Sequence, residues 1–107
     1  HPGIDLAVDR GTAIHSVQPG IVTFSGWKSE YGRVVIVQHD DGTESVYGHN
    51  AKNLVKAGSQ VDEATVLGLS GSTGRSTGPH LHFEVRKHGK AVNPVPYLNR
   101  FRASASK

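Results

Sequence analysis

Short runs of β-branched residues separated by glycine-bearing turns occupy most of this chain, and that alternation points to a fold built from many short strands. The runs fall at residues 20–26, 33–39, 44–48, 66–70 and 81–86, with Asp40-Asp41-Gly42 and His88-Gly89 as hairpin turns. Val34-Val35-Ile36-Val37 is apolar on both faces of a strand, so it belongs inside a sheet that is covered on both sides. Apolar residues nowhere recur at spacings of three and four over a helix-length stretch; the best helical candidate, residues 51–55, is about one turn long. The expected fold class is mainly β with little helix.

A chain of 107 residues fits one compact domain with a single core. Its 36% hydrophobic and 20% charged residues exclude the composition of a disordered segment. Net charge is +3 with histidine neutral, an excess that favours approach to an anionic polymer and is too small to point to nucleic acid. No apolar run approaches the roughly 20 residues of a membrane-crossing helix, so no membrane span is expected within this chain. With no cysteine, disulfides and thiolate metal sites are excluded, and His, Asp and Glu are the only strong ligand types left. The domain is expected over residues 1–98, followed by a polar tail at 99–107. The chain opens inside a motif, on His1, which suggests that further sequence precedes it.

Four of the seven histidines lie in segments whose geometry can be argued: His1, His49, His80 and His82. In Pro79-His80-Leu81-His82-Phe83-Glu84, strand alternation sends His80, His82 and Glu84 to one face and Leu81, Phe83 and Val85 to the other. An isolated His-x-His is more often a pair of exposed polar residues than a site. Gly68, Gly71, Gly74 and Gly78 crowd the approach to this strand and permit a tight loop whose backbone comes close to a substrate or a neighbouring strand. An ordinary flexible loop is the plainer reading of those glycines.

His1-Pro2-Gly3-Ile4-Asp5 offers an imidazole and a carboxylate, ligands suited to a divalent metal of the zinc type. Gly3 weakens a helix and Leu6-Ala7-Val8 is strand-like, so this pair is placed on a bend entering a strand. Alone it is a weak signal. A catalytic zinc usually has three protein ligands, a number that His1, Asp5 and His82 supply. There is no His-Glu-x-x-His helix, so a histidine must act where that class uses glutamate. His80 and His49 are the candidates, one to take a proton from the attacking water and the other to hold the developing oxyanion and protonate the amine. Residue types and spacing do not divide the two roles.

Taken together, His1-Pro-Gly-Ile-Asp5, Tyr47-Gly-His49 and Gly71-Ser-Thr-Gly-Arg-Ser-Thr-Gly-Pro-His80-Leu-His82-Phe-Glu84 resemble the LytM/lysostaphin family of zinc metallopeptidases, in the family's order and over nearly the whole chain. The resemblance implies a small antiparallel β-sheet domain with a zinc-containing groove, preceded in most members by further strand-forming sequence. It implies Zn2+ held by His1, Asp5 and His82, and catalysis by His49 and His80. The implied activity is endopeptidase cleavage of peptidoglycan stem or bridge peptides, in the cell envelope, periplasmic or secreted. Asn50, where many members have Leu, and the ending Gly89-Lys-Ala-Val-Asn-Pro94 are similar to Gram-negative envelope members. Some of those have lost their zinc ligands and only activate amidases, which keeps a catalytically silent amidase activator as the second reading.

A third reading takes Gly20-Ile-Val and Val55-Lys-Ala-Gly-Ser-Gln-Val61 as hairpins of a biotinyl or lipoyl carrier, but the chain has no Met and no lysine convincingly set at a hairpin tip. His15, His39 and His88 are expected to be structural, on a strand surface, at a strand end and in a turn. Trp27 and Tyr31 suit either a groove wall or a core cover. Arg75, Ser76 and Thr77 are candidate substrate-holding donors in the glycine-rich loop.

Overall fold

The computed structural model describes residues 3–74 and 78–98. His1, the loop residues Arg75, Ser76 and Thr77, and the tail expected at 99–107 lie outside them. Nine strands form among the described residues: β1 Ile4–Ala7, β2 Ala13–His15, β3 Gly20–Lys28, β4 Gly32–Gln38, β5 Thr43–Asn53, β6 Gln60–Val61, β7 Val66–Ser70, β8 His80–Lys87 and β9 Lys90–Val92. A single 3-10 turn, Val95–Tyr97, is the one helical element described. The expectation of a mainly β, antiparallel domain therefore holds.

The main sheet runs in the order β1-β8-β5-β4-β3-β6, and every pairing is antiparallel. β7 adds to β5 and carries β2, while β9 folds back on β8. The β8–β9 hairpin turns through His88 and Gly89, both at positive φ (51° and 79°), the pair of left-handed residues that a tight two-residue turn requires. Val34, Val35, Ile36 and Val37 are all buried in β4, which lies between β3 and β5 as its two-sided apolar character demands.

The helical candidate at residues 51–55 is a correction. Residues 51–53 continue β5, because Asn50, Lys52 and Asn53 pair with Ser70, Leu69 and Gly68 of β7, and these ladder bonds outweigh a local preference worth about one turn.

One face of the sheet packs Ile14, Val17, Val35, Val37, Tyr47, Leu67, Leu81, Phe83 and Val85 into the larger apolar cluster. On the other face Val34, Ile36 and Val46 form a smaller cluster with Phe24 and Tyr31 against it. A buried polar chain crosses the larger core. His39 Nδ1 lies 2.8 Å from the Pro19 carbonyl and Nε2 2.8 Å from Ser45 Oγ; that hydroxyl lies 2.7 Å from Tyr47 Oη, which accepts from Val17 N–H at 3.0 Å. His39 thus has the structural role expected of it, though buried rather than at an open strand end.

Tyr47→Phe would strip the Val17 N–H of its acceptor inside the core, a loss of about 1–3 kcal/mol. Urea unfolding should register it with the slope unchanged, and a shift within about 0.5 kcal/mol would mean that this chain contributes nothing net.

Candidate functional site

The smaller-cluster face of the sheet brings Asp5, His49, His80, His82 and Glu84 together from three strands. Register does most of this: β8 pairs Asp5 with His82 and Ala7 with His80 on one side, and Gly48 with His82 on the other. His80, His82 and Glu84 share a face, as alternation requires, but that face is not an open surface. His82 is 5% and Glu84 0% exposed, with the Tyr31 ring and the backbone of Gly3 packed against them. The Tyr31 ring lies 5.6 Å from the His82 ring, so Tyr31 belongs to the site. Trp27 does not line it: it is 57% exposed and borders a cleft with Arg33, Lys52 and Asn53.

His49 follows Gly48 at the point where β5 bends, with φ +65°, a left-handed conformation that an L-residue other than glycine adopts at a cost. Two contacts hold it there. Its N–H donates to the Tyr31 carbonyl at 2.6 Å, and Nδ1 donates to the Thr73 carbonyl at 2.6 Å. Thr73 reaches that position because Gly32 and Gly74, both at positive φ, pack backbone to backbone with no room for a side chain between them. With Nδ1 committed to a carbonyl, Nε2 is the free lone pair. Burial, reinforced by the neighbouring His80 and His82, lowers the His49 pKa below its ordinary 6.5. The ring is therefore a neutral base at pH 7.

His80 donates from Nδ1 to the Gly78 carbonyl at 2.9 Å, and its Nε2 lies 3.4 Å from Asp5 Oδ1. Its ring meets that of His49 edge to face at a centroid distance of 4.7 Å, while His49 and His82 are 6.0 Å apart. His82 presents Nδ1 to Asp5 Oδ1 at 2.7 Å and Nε2 to Glu84 Oε2 at 2.8 Å. Burial alone would lower the His82 pKa, but the bonds to Glu84 and Asp5 outweigh it and raise it. Burial pushes the Tyr31 phenol up to about 12, helped by its bond to Glu84. Glu84 itself is held below its ordinary value: the donors His82 and Tyr31 and the Arg86 charge overcome its burial.

Of the five expected site residues, His49, His80, His82 and Asp5 converge, and His1 lies outside the described residues. Among the described residues, no group of three or more His, Cys, Asp or Glu side chains is arranged to hold a metal ion. Asp5 faces His82 at 2.7 Å and His80 at 3.4 Å, and His82 faces Glu84 at 2.8 Å. Strand alternation had placed Glu84 beside the histidines without giving it a role. Thr73 acts through its backbone carbonyl and leaves no signal in side-chain chemistry. Asn50, where many members of the family that the chain resembles have Leu, is fully buried and donates to Tyr47 O and Asn53 Oδ1 at 3.1 and 3.0 Å, tying down the bend that carries His49.

Gly3 contributes a signal of its own. Its φ is +106°, and a methyl added there would fall 2.5 Å from Glu84 Cγ and 2.6 Å from the Phe83 carbonyl oxygen, which would force Gly3 off His82 and Glu84. Gly3→Ala should therefore cost at least about 1 kcal/mol more than Gly58→Ala, which has the same sign of φ (+94°) but nothing within 4 Å to strike. Equal losses in thermal unfolding would show that the contact with Glu84 and Phe83 imposes no constraint.

A model of peptidase family M23 matches residues 1–94. The chain is 45% identical over 95 residues to the DD-carboxypeptidase/endopeptidase Mpg of Neisseria meningitidis, covering 89% of this chain and 22% of that protein. It is 41% identical over 98 residues to the murein hydrolase activator EnvC of Escherichia coli, covering 92% of this chain and 23% of that protein. The chain thus spans less than a quarter of the length of these relatives. In structure it is similar to the catalytic domain of the antimicrobial peptidase lysostaphin from Staphylococcus simulans, with a TM-score of 0.87, 33% identity and coverage of 92% of this chain and 79% of that one.

Proposed function

Because this chain belongs to peptidase family M23, the LytM/lysostaphin-like group, we propose that it is a zinc-dependent endopeptidase acting on the stem or bridge peptides of bacterial peptidoglycan. The observation that carries the reading is the convergence of a strained, neutral His49 with His80 beside the Asp5–His82 pair. Strain at a histidine whose free nitrogen faces other polar groups is the kind of cost that persists where chemistry uses it.

Two of the three proposed ligands, Asp5 and His82, are of donor types that suit the metal and lie side by side. Nε2 of His82 faces the buried Glu84 carboxylate and Nδ1 faces the more exposed Asp5 carboxylate at 2.7 Å. A carboxylate only accepts, so without a metal the ring turns a proton toward each, and the one on Nδ1 is the one a shared cation would displace. A neutral imidazole would set two electron-pair donors against each other there, an arrangement that either a second ring proton or a shared cation relieves. A neutral imidazole nitrogen and a carboxylate oxygen are zinc ligands, and His1, four residues before Asp5, is proposed as the third. When bound, zinc would polarise the scissile carbonyl and make water acidic enough to ionise near pH 7.

His49 and His80 supply the proton chemistry around that centre. Each donates Nδ1–H to a backbone carbonyl, so each presents Nε2 as its working nitrogen. One takes a proton from the attacking water; the other stabilises charge on the carbonyl oxygen and returns a proton to the departing amine. The rings are close enough to act on one reacting centre. We place the activity in the cell envelope, periplasmic or secreted; among the described residues no helix is long and apolar enough to cross a membrane.

A second reading, a catalytically silent activator of a cell-wall amidase, is favoured by the 41% identity to a murein hydrolase activator. Zinc content, cleavage of purified peptidoglycan and stimulation of an amidase, measured on the same preparation, separate the two. An endopeptidase carries one zinc and releases peptide fragments alone. An activator releases nothing without the amidase.

His82→Ala should lose zinc and activity together. His49→Ala and His80→Ala should keep zinc and wall binding while turnover falls roughly a hundredfold or more, and near-normal cleavage by both would sink the mechanism. The lowered pKa of His49 gives a further expectation: kcat/KM should fall on the acid side with an apparent pKa below 6.5, as the ring takes up the proton that disables it as a base. An acid limb with an apparent pKa at or above 6.5 would remove His49 from the proton-transfer role.

A further inference from the structure

The most completely buried ionisable group in the site belongs to none of the roles assigned above. Glu84 sits in β8 two residues beyond His82, with 1% of its side chain exposed. Both its oxygens are engaged. Oε2 accepts from the Tyr31 hydroxyl at 2.6 Å and from His82 Nε2 at 2.8 Å, while Oε1 accepts from Arg86 Nε and an Arg86 terminal nitrogen at 3.2 and 3.1 Å. Arg86 also donates to Tyr31 Oη at 3.1 Å, which closes the network. Burying a carboxylate is costly, and a cation with three or four hydrogen bonds is what makes it tolerable.

We propose that Glu84, held by Arg86 and Tyr31, is a positioning residue that keeps the ring proton of His82 on Nε2 and thereby makes Nδ1 the nitrogen offered across β1 to Asp5. The inference rests on the metal-dependent reading for its consequence, but the position of the proton is a property of the zinc-free chain.

The geometry leaves little choice. Every group around the carboxylate is a donor: a phenol, a guanidinium and the imidazole N–H. A carboxylate satisfies all of them because it only accepts. Glutamine at 84 has the same shape and fails in either orientation. With its oxygen toward Tyr31 and His82, its NH2 meets the Arg86 guanidinium, donor against donor. Reversed, the NH2 meets His82 Nε2 and favours a bare nitrogen there, moving the ring proton to Nδ1, where it faces Asp5 and blocks the lone pair. Tyr31 reads differently from a groove residue in this light: its hydroxyl is turned to the carboxylate, and its carbonyl holds the His49 N–H. One residue thereby fixes parts of both the proposed metal side and the proposed proton-transfer side of the site.

The test is nitrogen-15 NMR of the zinc-free protein, with zinc affinity measured in parallel by competition with a chelating dye. In the wild-type chain the His82 ring should show a slowly exchanging proton on Nε2, with a nuclear Overhauser contact to Tyr31. A protected proton on Nδ1 with a bare Nε2 would overturn the proposal, and that measurement needs no variant. Glu84→Gln should speed exchange of the Nε2 proton or remove its signal, and weaken zinc binding about tenfold to a hundredfold, the range expected when the partner that orients a ligand is removed. The exposed Glu63→Gln should change neither. Retention of both the signal and the affinity by a folded Glu84→Gln would also overturn the assignment. If the wild-type chain shows the Nε2 proton but takes up no zinc, the positioning role stands and the endopeptidase reading fails.

Discussion

β8 is hydrogen-bonded on both sides, to β5 and to β1, and the register of those two ladders decides where every polar group of the site can be. Because side chains alternate along a strand, a slip of one residue in either ladder would exchange His82 and Glu84 for Leu81, Phe83 and Val85. The larger core forbids that slip. Tyr47 pairs with Phe83 in the register, their rings 5.6 Å apart, and burying them on one face obliges Gly48 and His82 to meet on the other. Packing of an apolar layer is thus what aims the imidazoles, and the chemistry on one side of the sheet is held by hydrophobic burial on its opposite side.

Against that rigid frame the bend at His49 is a local cost met by local contacts. A left-handed histidine is held by two carbonyls, one from Tyr31 and one from Thr73, and neither would be in place without Gly32 and Gly74 lying backbone to backbone. Glycine here does not loosen the structure. Removing the side chain lets two loops approach closely enough for a main-chain oxygen to fix an imidazole tautomer. The Asn50 amide, buried directly after the bend, adds bonds to Tyr47 O and Asn53 that a leucine at the same place would not make.

Much of this was legible in the residues. β-branched runs between glycine turns gave the strands, Val34 to Val37 gave an interior strand, and alternation placed His80, His82 and Glu84 on one face. Those inferences succeeded because period and burial are local consequences of side-chain chemistry. Residues 51–53 misled because their pairing with β7 is a long-range contact, which local propensity does not contain. His49 was recognised as a candidate from its motif, but its strain, its bond to a backbone carbonyl and its lowered pKa come from residues distant in the chain. Glu84 carried a visible signal, a carboxylate on the histidine face, whose meaning depended on Arg86 and Tyr31 closing around it.

Among the described residues β1 lies at one end of the sheet path and is only four residues long. Its ladder joins it to β8, which is itself anchored to β5, so the two halves of the Asp5–His82 pair have unequal mechanical support. Short strands at the edge of a sheet open by local fluctuation at lower free energy than the strands inside it, and their amides exchange with solvent accordingly. The carboxylate therefore rides on a seam that can part while the imidazole stays in place. Any ion or ligand that bridges the two would stitch that seam, and its binding would be recorded as slower amide exchange along β1.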